Sequence, residues 1–441
     1  VTLKNGGIKF RKNKSWGGDF GDKTMDGILD QEGDNNINST AGTFGSETNL
    51  DKISDTIIFR GKLFAAVAET NSAAVYRYDG GTTWTKVTHA TSGKAVTGDT
   101  ANIDAFVMTV YNDRLYIGSQ TGSTTAAIYY SSTADTTSDS FTILNTTRGT
   151  FDLGSVPGIS DMVVWNGVFV FATQNTNLSE IIRWNGGTSY TQLSQADGKV
   201  LTSEPVADKD GFVLEVYNGA LFAGAITGST TTNIWYNSGG GTAWIAGSST
   251  AGAFASDTNY VDITSLTVYN GFLYLAASKS DAAAVFLYTI GPIGTAANSN
   301  NFRRINTTVG KLIASDTASI DSIALRVYNG RLYAASQTGS GTAALYEYPQ
   351  NAYLNDFTLM TSTRGTFGSE TSIDGITSLI EFNGDLYLGT DDSTNGVGGI
   401  YTWNKTAQNS FGLVFDSGSS NYGRISFVGN KLSKRTCPKS S

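Results

Sequence analysis

A short phrase returns along the chain at nearly even intervals. Its copies read VYNDRLYIGS at 110–119, VYNGALFAGA at 216–225, VYNGFLYLAA at 268–277 and VYNGRLYAAS at 327–336. Related turns stand at 59–64, 165–170 and 382–387, and a more divergent one at 428–433. Most intervals are about 52 to 54 residues. A period of this length without helical periodicity is typical of a radial array of β-sheets.

The centre of each phrase predicts a β-hairpin. Asn-Gly between two apolar runs is a strong hairpin signal, because a type I′ turn needs positive φ at both central residues. The second repeat then divides into four strands, at 105–111, 114–119, 127–132 and 140–145. Four antiparallel strands in a repeat of this length are typical of one blade of a β-propeller.

The two ends of the chain bear on the number of blades. The hairpin at 422–434 has no third or fourth strand after it, whereas GGIKFRKNKSW at 6–16 looks like a third strand with nothing before it. We therefore predict an all-β, single-domain propeller over residues 1–441, with eight blades and a ring closed by pairing of the N- and C-terminal strands. Seven blades with terminal extensions are the alternative. An acidic insertion is expected at 18–36 and a basic C-terminal tail at 434–441.

The composition argues against several classes of function. The net charge is −8 and no dense block of Lys and Arg occurs, so we expect no nucleic-acid partner. A single cysteine, Cys437, cannot form an internal disulfide, and a single histidine, His89, argues against a histidine-based metal site or catalytic triad. No apolar run is long enough for a membrane span. The chain begins at Val1, for which we expect a mature secreted form, with a fragment boundary as the alternative.

One hairpin carries a family resemblance. YDGGTTWTKV at 78–87 contains Asp79, Gly81, Thr83 and Trp84 in the order D-x-G-x-T-W, and 184–190 is a weaker copy. This resembles the Asp-box of sialidase-like BNR repeat proteins, although Arg77 stands where that pattern has Ser or Thr. The resemblance implies a propeller blade in which the Asp caps the hairpin and the aromatic residue packs between sheets. In that family the box is structural, so it implies no catalytic role for these residues.

Acidic residues recur just before the first strand of several repeats. Adjacent blades would bring them to the mouth of the central channel. Several carboxylates there suit a cation, with Ca²⁺ the candidate, or a polyol. The alternative is that each carboxylate caps a loop by accepting backbone N–H groups. The residues are Asp51, Asp104, Asp262, Asp321 and Asp374.

Two further groups of residues are expected near the same face. The loops SQTGSTTA at 119–126 and SQTGSGTA at 336–343 contribute Gln120, Thr121, Gln337 and Thr338, whose neutral polar groups suit hydrogen bonds to carbohydrate or a solvated loop. The phrase TRGTF, at 147–151 and 363–367, contributes Arg148 and Arg364, which suit either an anion or internal ion pairs.

These observations favour a non-catalytic, extracellular recognition or adhesion propeller. Its partner would be a glycan or a surface protein, and repeated loops would give several equivalent weak sites. One alternative is a self-assembling structural subunit of an extracellular filament, coat or appendage. A second is a glycoside hydrolase or lyase of sialidase-like fold, for which no catalytic residues emerge from the pattern. No cofactor is expected other than the candidate Ca²⁺.

Overall fold

The computed structural model describes residues 51–403 with gaps, and six short strands nearer the ends. The gaps are 101, 135–139, 146, 152–153, 205–206, 229–231, 290–300, 307, 318, 350–356, 362, 368–370 and 392–397. No α-helix occurs among the described residues, which confirms the all-β prediction. Accordingly, the described part of the chain contains no apolar helix of membrane-spanning length.

The strands are short and follow one another closely. They are β1 (Phe10–Lys12), β2 (Ser15–Phe20), β3 (Thr43–Phe44), β4 (Glu47–Thr48), β5 (Lys52–Phe59), β6 (Lys62–Ala68), β7 (Ala74–Gly80), β8 (Thr83–Lys86), β9 (Ala105–Tyr111), β10 (Arg114–Gln120), β11 (Ile128–Ser131), β12 (Thr142–Ile143), β13 (Gly158–Trp165), β14 (Val168–Gln174), β15 (Ile181–Gly186), β16 (Ser189–Gln192), β17 (Gly211–Tyr217), β18 (Ala220–Ile226), β19 (Ile234–Asn237), β20 (Ile245–Ala246), β21 (Asp262–Tyr269), β22 (Phe272–Ser278), β23 (Ala284–Tyr288), β24 (Phe302–Arg304), β25 (Ser322–Tyr328), β26 (Arg331–Gln337), β27 (Leu345–Glu347), β28 (Thr358–Leu359), β29 (Gly375–Phe382), β30 (Asp385–Asp391), β31 (Ile400–Trp403), β32 (Phe427–Val428) and β33 (Lys431–Leu432).

Within residues 51–403 these strands form seven antiparallel repeats. Repeats 1 to 6 contain four strands each, beginning with β5, β9, β13, β17, β21 and β25, and repeat 7 contains β29 to β31. Each predicted Asn-Gly phrase is the turn between the first two strands. At Asn218 and Gly219 the φ angles are 49° and 78°, the positive values that this turn chemistry requires.

The hydrophobic core lies between repeats rather than within them. Seven buried clusters each take side chains from two neighbouring repeats. One cluster, for example, joins Phe64 and Val75 of repeat 1 to Phe106 and Tyr129 of repeat 2. Since both faces of each sheet contact a neighbour, the second strands are buried almost along their whole length, as β6 and β10 show. This packing of sheet against sheet is the arrangement of propeller blades.

Repeat 7 contacts repeat 1. Asp391 of β30 pairs with Lys52 of β5, and one buried cluster contains both Ile53 of repeat 1 and Ile380 of repeat 7. The predicted eighth hairpin appears as β32 paired with β33, and β1 pairs with β2. The described contacts do not confirm the count of eight or the predicted ring closure. Most of the predicted insertion at 18–36, and all of the tail at 434–441, lie outside the described residues.

Candidate functional site

The predicted acidic residues connect neighbouring repeats on one face. This face, called the loop face below, holds the loops between second and third strands together with the connections from each repeat to the next. Asp104 at the start of repeat 2 accepts a hydrogen bond from the backbone N–H of Asn71 in the loop of repeat 1, at 2.7 Å. Asp321 accepts one from the backbone N–H of Asp281 at 2.8 Å.

Two further predicted carboxylates do the same. Asp262 accepts from the backbone N–H groups of Thr227 at 2.7 Å and Gly228 at 3.0 Å. Asp374 accepts from the N–H of Gly341 at 2.8 Å. Each carboxylate therefore holds the loop of the preceding repeat, not its own loop. Asp51 stands at the matching position before β5 and is half-buried.

Sequence reasoning missed one member of this set. Asp210, before β17, accepts from the N–H of Asn177 at 2.7 Å. The sequence contains a signal that identifies Asp210. It stands eight residues before Asn218, the same spacing that separates Asp104 from Asn112.

The loops of repeats 2 and 6 contain clusters of hydroxyl groups. In repeat 2 the Thr125 hydroxyl donates to Thr121 Oγ1 at 3.2 Å and lies 2.8 Å from Ser123 Oγ. In repeat 6 Thr342 Oγ1 lies 2.9 Å from Thr338 Oγ1 and 3.0 Å from Ser340 Oγ. These two sets are called the hydroxyl clusters below.

The members of each hydroxyl cluster differ in exposure. Thr121 and Thr338 are buried, and the Thr121 hydroxyl donates to the carbonyl of Pro157 at 2.9 Å. Ser123 and Ser340 are exposed at the loop tips. The buried threonines therefore fix the loop, and the serines face solvent.

The two predicted glutamines reach across to the next repeat. The Gln120 amide donates to the carbonyl of Ile159 at 3.1 Å. The Gln337 side chain packs against Gly375: a Cβ added to Gly375 would lie 2.7 Å from the Cγ of Gln337. Both side chains therefore help to align the repeats.

The two predicted arginines form internal ion pairs. Arg148 pairs with Asp99 and donates to the hydroxyl of Tyr129. Arg364 pairs with Asp316 in the same manner, beside Tyr346. Since Asp99 and Asp316 are almost fully buried and belong to the preceding repeat, these pairs also join neighbours.

The Asp-box-like hairpin lies at the opposite end of repeat 1. Asp79 accepts from Arg77 Nε at 2.8 Å and from the hydroxyl of Thr85 at 2.6 Å. Gly81 has a φ of 64° and Thr83 pairs with Gly80. Trp84 is buried, with its ring 4.8 Å from that of Phe44 and 4.9 Å from that of Tyr78.

Carboxylates on the innermost strands are a feature that sequence reasoning missed. Asp55 of β5 accepts from Met108 N in β9 at 2.7 Å, and Asp161 of β13 accepts from Leu214 N in β17 at 2.7 Å. Burial raises the pKa of Asp55 to about 7 and the pKa of Asp161 to about 6.

Glu215 and Arg326 complete this innermost group. Burial raises the pKa of Glu215 to about 7, and the charge of Asp161 raises it further while Arg326 lowers it. Asp55 is coupled to Asp161 and Arg326 as well. Groups that titrate near neutrality can serve as general acids or bases, so the innermost strands are a second candidate region.

Repeat 3 contains a pair of carboxyl groups, Glu180 and Asp197, that has no counterpart in repeats 1 and 5. Glu180 is buried and accepts from Gln192 Nε2 at 3.2 Å. Burial is the main cause that raises the pKa of Glu180, and the hydrogen bond with Asp197 and the charge of Asp197 raise it further, to about 8. Ala73 and Ala283 occupy the matching positions in repeats 1 and 5.

The described residues contain no group of three or more His, Cys, Asp or Glu side chains that suits a metal ion. Most of the acidic segment at 18–36 lies outside those residues.

Comparison with known proteins identifies a fold. No protein-family model matches the sequence, and no curated protein matches it. Among solved structures, YCF48 from Cyanidioschyzon merolae is similar with a TM-score of 0.52 and 10% identity, over 80% of this chain and 96% of that one.

Two weaker structural similarities follow. The polysaccharide lyase Uly1 has a TM-score of 0.49 and 10% identity, over 82% of this chain and 90% of that one. A lectin from Aleuria aurantia has a TM-score of 0.41 and 10% identity, over 72% of this chain and 97% of that one. At 10% identity the similarity to YCF48 bears on the fold and leaves the activity open. The fold that this chain shares with YCF48 is the β-propeller.

Proposed function

We propose that this protein is a non-catalytic recognition propeller that binds polyhydroxylated ligands, glycans in particular, on its loop face. The hydroxyl clusters carry the proposal. In each one a buried threonine fixes the loop, and an exposed serine, Ser123 or Ser340, stands at its tip.

The chemistry of these clusters suits a neutral sugar. A hydroxyl donates one hydrogen bond and accepts two, so neighbouring hydroxyls can exchange donor and acceptor roles with those of a glycan. The nearest carboxylates and arginines already hold backbone N–H groups or ion pairs, which leaves neutral groups at the loop tips.

Repetition supports binding to surfaces that display many ligands. Repeat 4 has the same loop sequence pattern, TGSTT at 227–231, although residues 229–231 lie outside the described part. Several weak, equivalent sites on one rigid face gain avidity for a repeated ligand. The proposal includes an extracellular or cell-surface location, a role in adhesion, and a closed ring of eight blades.

The test is a pair of serine substitutions. Ser123→Ala combined with Ser340→Ala removes two exposed hydroxyls and leaves the buried threonines in place. Glycan-array screening identifies the sugar, and calorimetry then measures the affinity. Each lost hydrogen bond is worth about 1 kcal/mol, so we expect affinity at each altered loop to fall about fivefold.

The matched control is Thr82→Ala, an exposed residue in the hairpin turn at the opposite end of repeat 1. It should leave binding unchanged. If no glycan binds the native protein, or if both variants bind equally well, the recognition proposal fails. Ordered oligomers formed without sugar would favour the structural-subunit alternative.

An enzymatic alternative has one observation in its favour, the innermost carboxylates with pKa values of about 6 to 7. A glycoside hydrolase or lyase would use such a group as a proton donor or acceptor. Glu215→Gln should then abolish turnover of a polysaccharide substrate while the fold survives. Unchanged turnover in this variant would exclude that role for Glu215.

A further inference from the structure

The first strands of the seven repeats stand side by side around a common space. β5, β9, β13, β17, β21, β25 and β29 each contact the first strands of the two neighbouring repeats, with β29 next to β5. Each also pairs along its length with the second strand of its own repeat, as β25 pairs with β26. An exposed side chain in the middle of a first strand therefore faces the common space, which is called the central cavity below.

Three repeats place different polar side chains at one level of the central cavity. Thr109, Glu215 and Arg326 each pair with the third residue of the second strand, so they occupy equivalent positions in repeats 2, 4 and 6. At the matching positions repeats 1, 3, 5 and 7 have Ile57, Val163, Thr267 and Ile380. A hydroxyl, a carboxylate and a guanidinium thus stand apart at a level where the other four repeats contribute no charge.

Arg326 is the exposed member of this group. It lies in the middle of β25, directly after the buried Leu325. Its guanidinium makes no hydrogen bond and no ion pair with the described residues. Other arginines of this chain do pair with a carboxylate: Arg60, Arg77, Arg148, Arg304, Arg331 and Arg364. The donors of Arg326 are therefore available to a ligand in the central cavity.

The charge of Arg326 acts across the central cavity. Burial raises the pKa of Asp55 in repeat 1 and of Glu215 in repeat 4 to about 7, and the charge of Arg326 lowers both values. Repeat 6 adjoins neither of these repeats, so the guanidinium influences carboxyl groups that lie on two other sides of the cavity. The charge of Asp161 in repeat 3 raises the pKa of the same two groups.

The three carboxyl groups differ in their capacity to bind a ligand. Both oxygens of Asp55 and both oxygens of Asp161 accept backbone N–H groups. Glu215 uses only Oε1 in this way, for the N–H of Val216 at 2.9 Å, and its Oε2 accepts no hydrogen bond from the described part of the chain. Glu215 is therefore the acceptor that remains open to a ligand, opposite the open donors of Arg326.

We propose that the central cavity binds a small zwitterion of the amino acid class, with its carboxylate on Arg326 and its ammonium group on Glu215. A guanidinium presents parallel N–H donors that match the two oxygens of a carboxylate, and an ammonium group donates to a carboxylate oxygen. An anion without the ammonium group would leave Glu215 unpaired and would meet the negative charge of Asp55 and Asp161. This site is separate from the hydroxyl clusters and does not rest on the function proposed above.

Calorimetry with simple zwitterions tests the proposal. The probes are the common L-amino acids and the straight-chain series glycine, β-alanine, γ-aminobutyrate and aminohexanoate, in which the two charged groups move apart. At least one probe should bind the native protein once per chain with a dissociation constant below about 1 mM. Acetate and methylamine, which carry one group each, should bind about tenfold more weakly or worse. No binding by any of the zwitterions would overturn the proposal.

Substitutions then locate the site with the best probe. Arg326→Gln and Glu215→Gln should each weaken binding by about tenfold or more, because each removes one charged partner of the ligand. Arg326→Lys keeps the charge but loses the parallel donors, so it should weaken binding severalfold and serves as a second variant at this position. Arg114→Gln, which removes an exposed arginine at the start of β10, is the charge-matched control and should leave binding unchanged.

The outcomes that contradict the proposal are distinct. If Arg326 only balances the charge of Asp55 and Glu215, Arg326→Gln lowers the melting temperature and leaves probe binding unchanged. Equal weakening in Arg114→Gln would show a general effect of charge. Acetate binding as tight as that of the zwitterions, unaffected by Glu215→Gln, would overturn the assignment to a zwitterion. Ser123→Ala with Ser340→Ala should not change probe binding, so this proposal and the recognition proposal fail independently.

Discussion

Individual polar side chains in this protein mostly join one repeat to the next. Asp104 holds the loop of repeat 1, Arg148 pairs with Asp99, and Asp161 binds the backbone of repeat 4. Each of these bonds connects residues about 33 to 53 positions apart. A carboxylate that already accepts a backbone N–H has fewer oxygen lone pairs left to bind a cation, which argues against the predicted Ca²⁺ site at these aspartates.

Glu180 gives a pH-dependent prediction at this scale. Its folded-state pKa of about 8 lies above the ordinary value of 4.5, so the folded protein binds this proton more tightly than the unfolded chain. Stability therefore falls as the pH rises from about 4.5 through 8. Glu180→Ala introduces the residue type found in repeats 1 and 5, and it removes the pH dependence of stability that Glu180 contributes.

Thermal unfolding of Glu180→Ala and native protein at pH 5 and pH 8.5 checks the prediction. The melting temperature of the variant relative to native should be higher at pH 8.5 than at pH 5, by about 2 °C. Glu180→Gln is the isosteric control, because it is neutral at both pH values and should show the same trend. Parallel curves for all three proteins would contradict the pKa assignment.

At the scale of strands, aromatic residues close the contacts between neighbouring hairpin turns. In four repeats the tyrosine or tryptophan before the turn donates to a glycine carbonyl in the turn of the next repeat: Tyr111 to Gly167 at 3.1 Å, Trp165 to Gly219 at 2.9 Å, Tyr217 to Gly271 at 3.1 Å and Tyr328 to Gly384 at 2.7 Å. The hydroxyl of Tyr269 in repeat 5 makes no such bond among the described residues. Repeat 1 has Phe59 at this position, and there Arg60 pairs with Asp113 instead.

Tyr328→Phe tests this contact. It removes one buried hydroxyl donor and leaves the Gly384 carbonyl without that partner, so we expect a loss of about 1 kcal/mol in the free energy of unfolding. Tyr130→Phe is the control, since no bond from the Tyr130 hydroxyl is described. Denaturant titration of both variants measures the difference. An equal stability of the two would show that the hydroxyl contributes nothing.

The connections between repeats give a prediction that depends on one glycine. Gly149 in TRGTF has a φ of 72°, and a Cβ there would lie 1.8 Å from the backbone oxygen of Thr124. Gly149→Ala must therefore displace the loop of repeat 2, and we expect a loss of about 2 kcal/mol or more. Gly154→Ala, where an added Cβ meets nothing within 4 Å, should be nearly neutral by the same titration.

The sequence predicted the strands well because hairpins are encoded locally. Asn-Gly turns and the apolar runs beside them lie within a dozen residues of one another, and all eight predicted hairpins are present among the described residues. The innermost carboxylates were not predicted, since Asp55 acquires its role only when repeat 2 comes beside it. For Arg148 the sequence left both an anion and an internal ion pair open, because its partner Asp99 comes beside it only in the folded protein.

At the scale of the whole molecule, the proposed binding sites fall on alternate repeats. Repeats 2 and 6 contain hydroxyl clusters, and repeat 4 has the matching sequence. Repeats 3 and 5 lie between them, so the proposed sites stand apart on the loop face. Each should then bind a small sugar independently, and a polymer should engage several at once.

Ser123→Ala alone separates this arrangement from a single central site. If the sites are independent, calorimetry with a small sugar should show about fivefold weaker binding at one site per chain, with the dissociation constant of the remaining sites unchanged. Binding to a polymer of the same sugar should weaken by up to about fivefold, because the altered loop contributes less to the avidity. The Thr82→Ala control should change neither quantity. A stoichiometry of one in the native protein, with an affinity that falls in the variant, would instead favour one asymmetric site shared by several repeats.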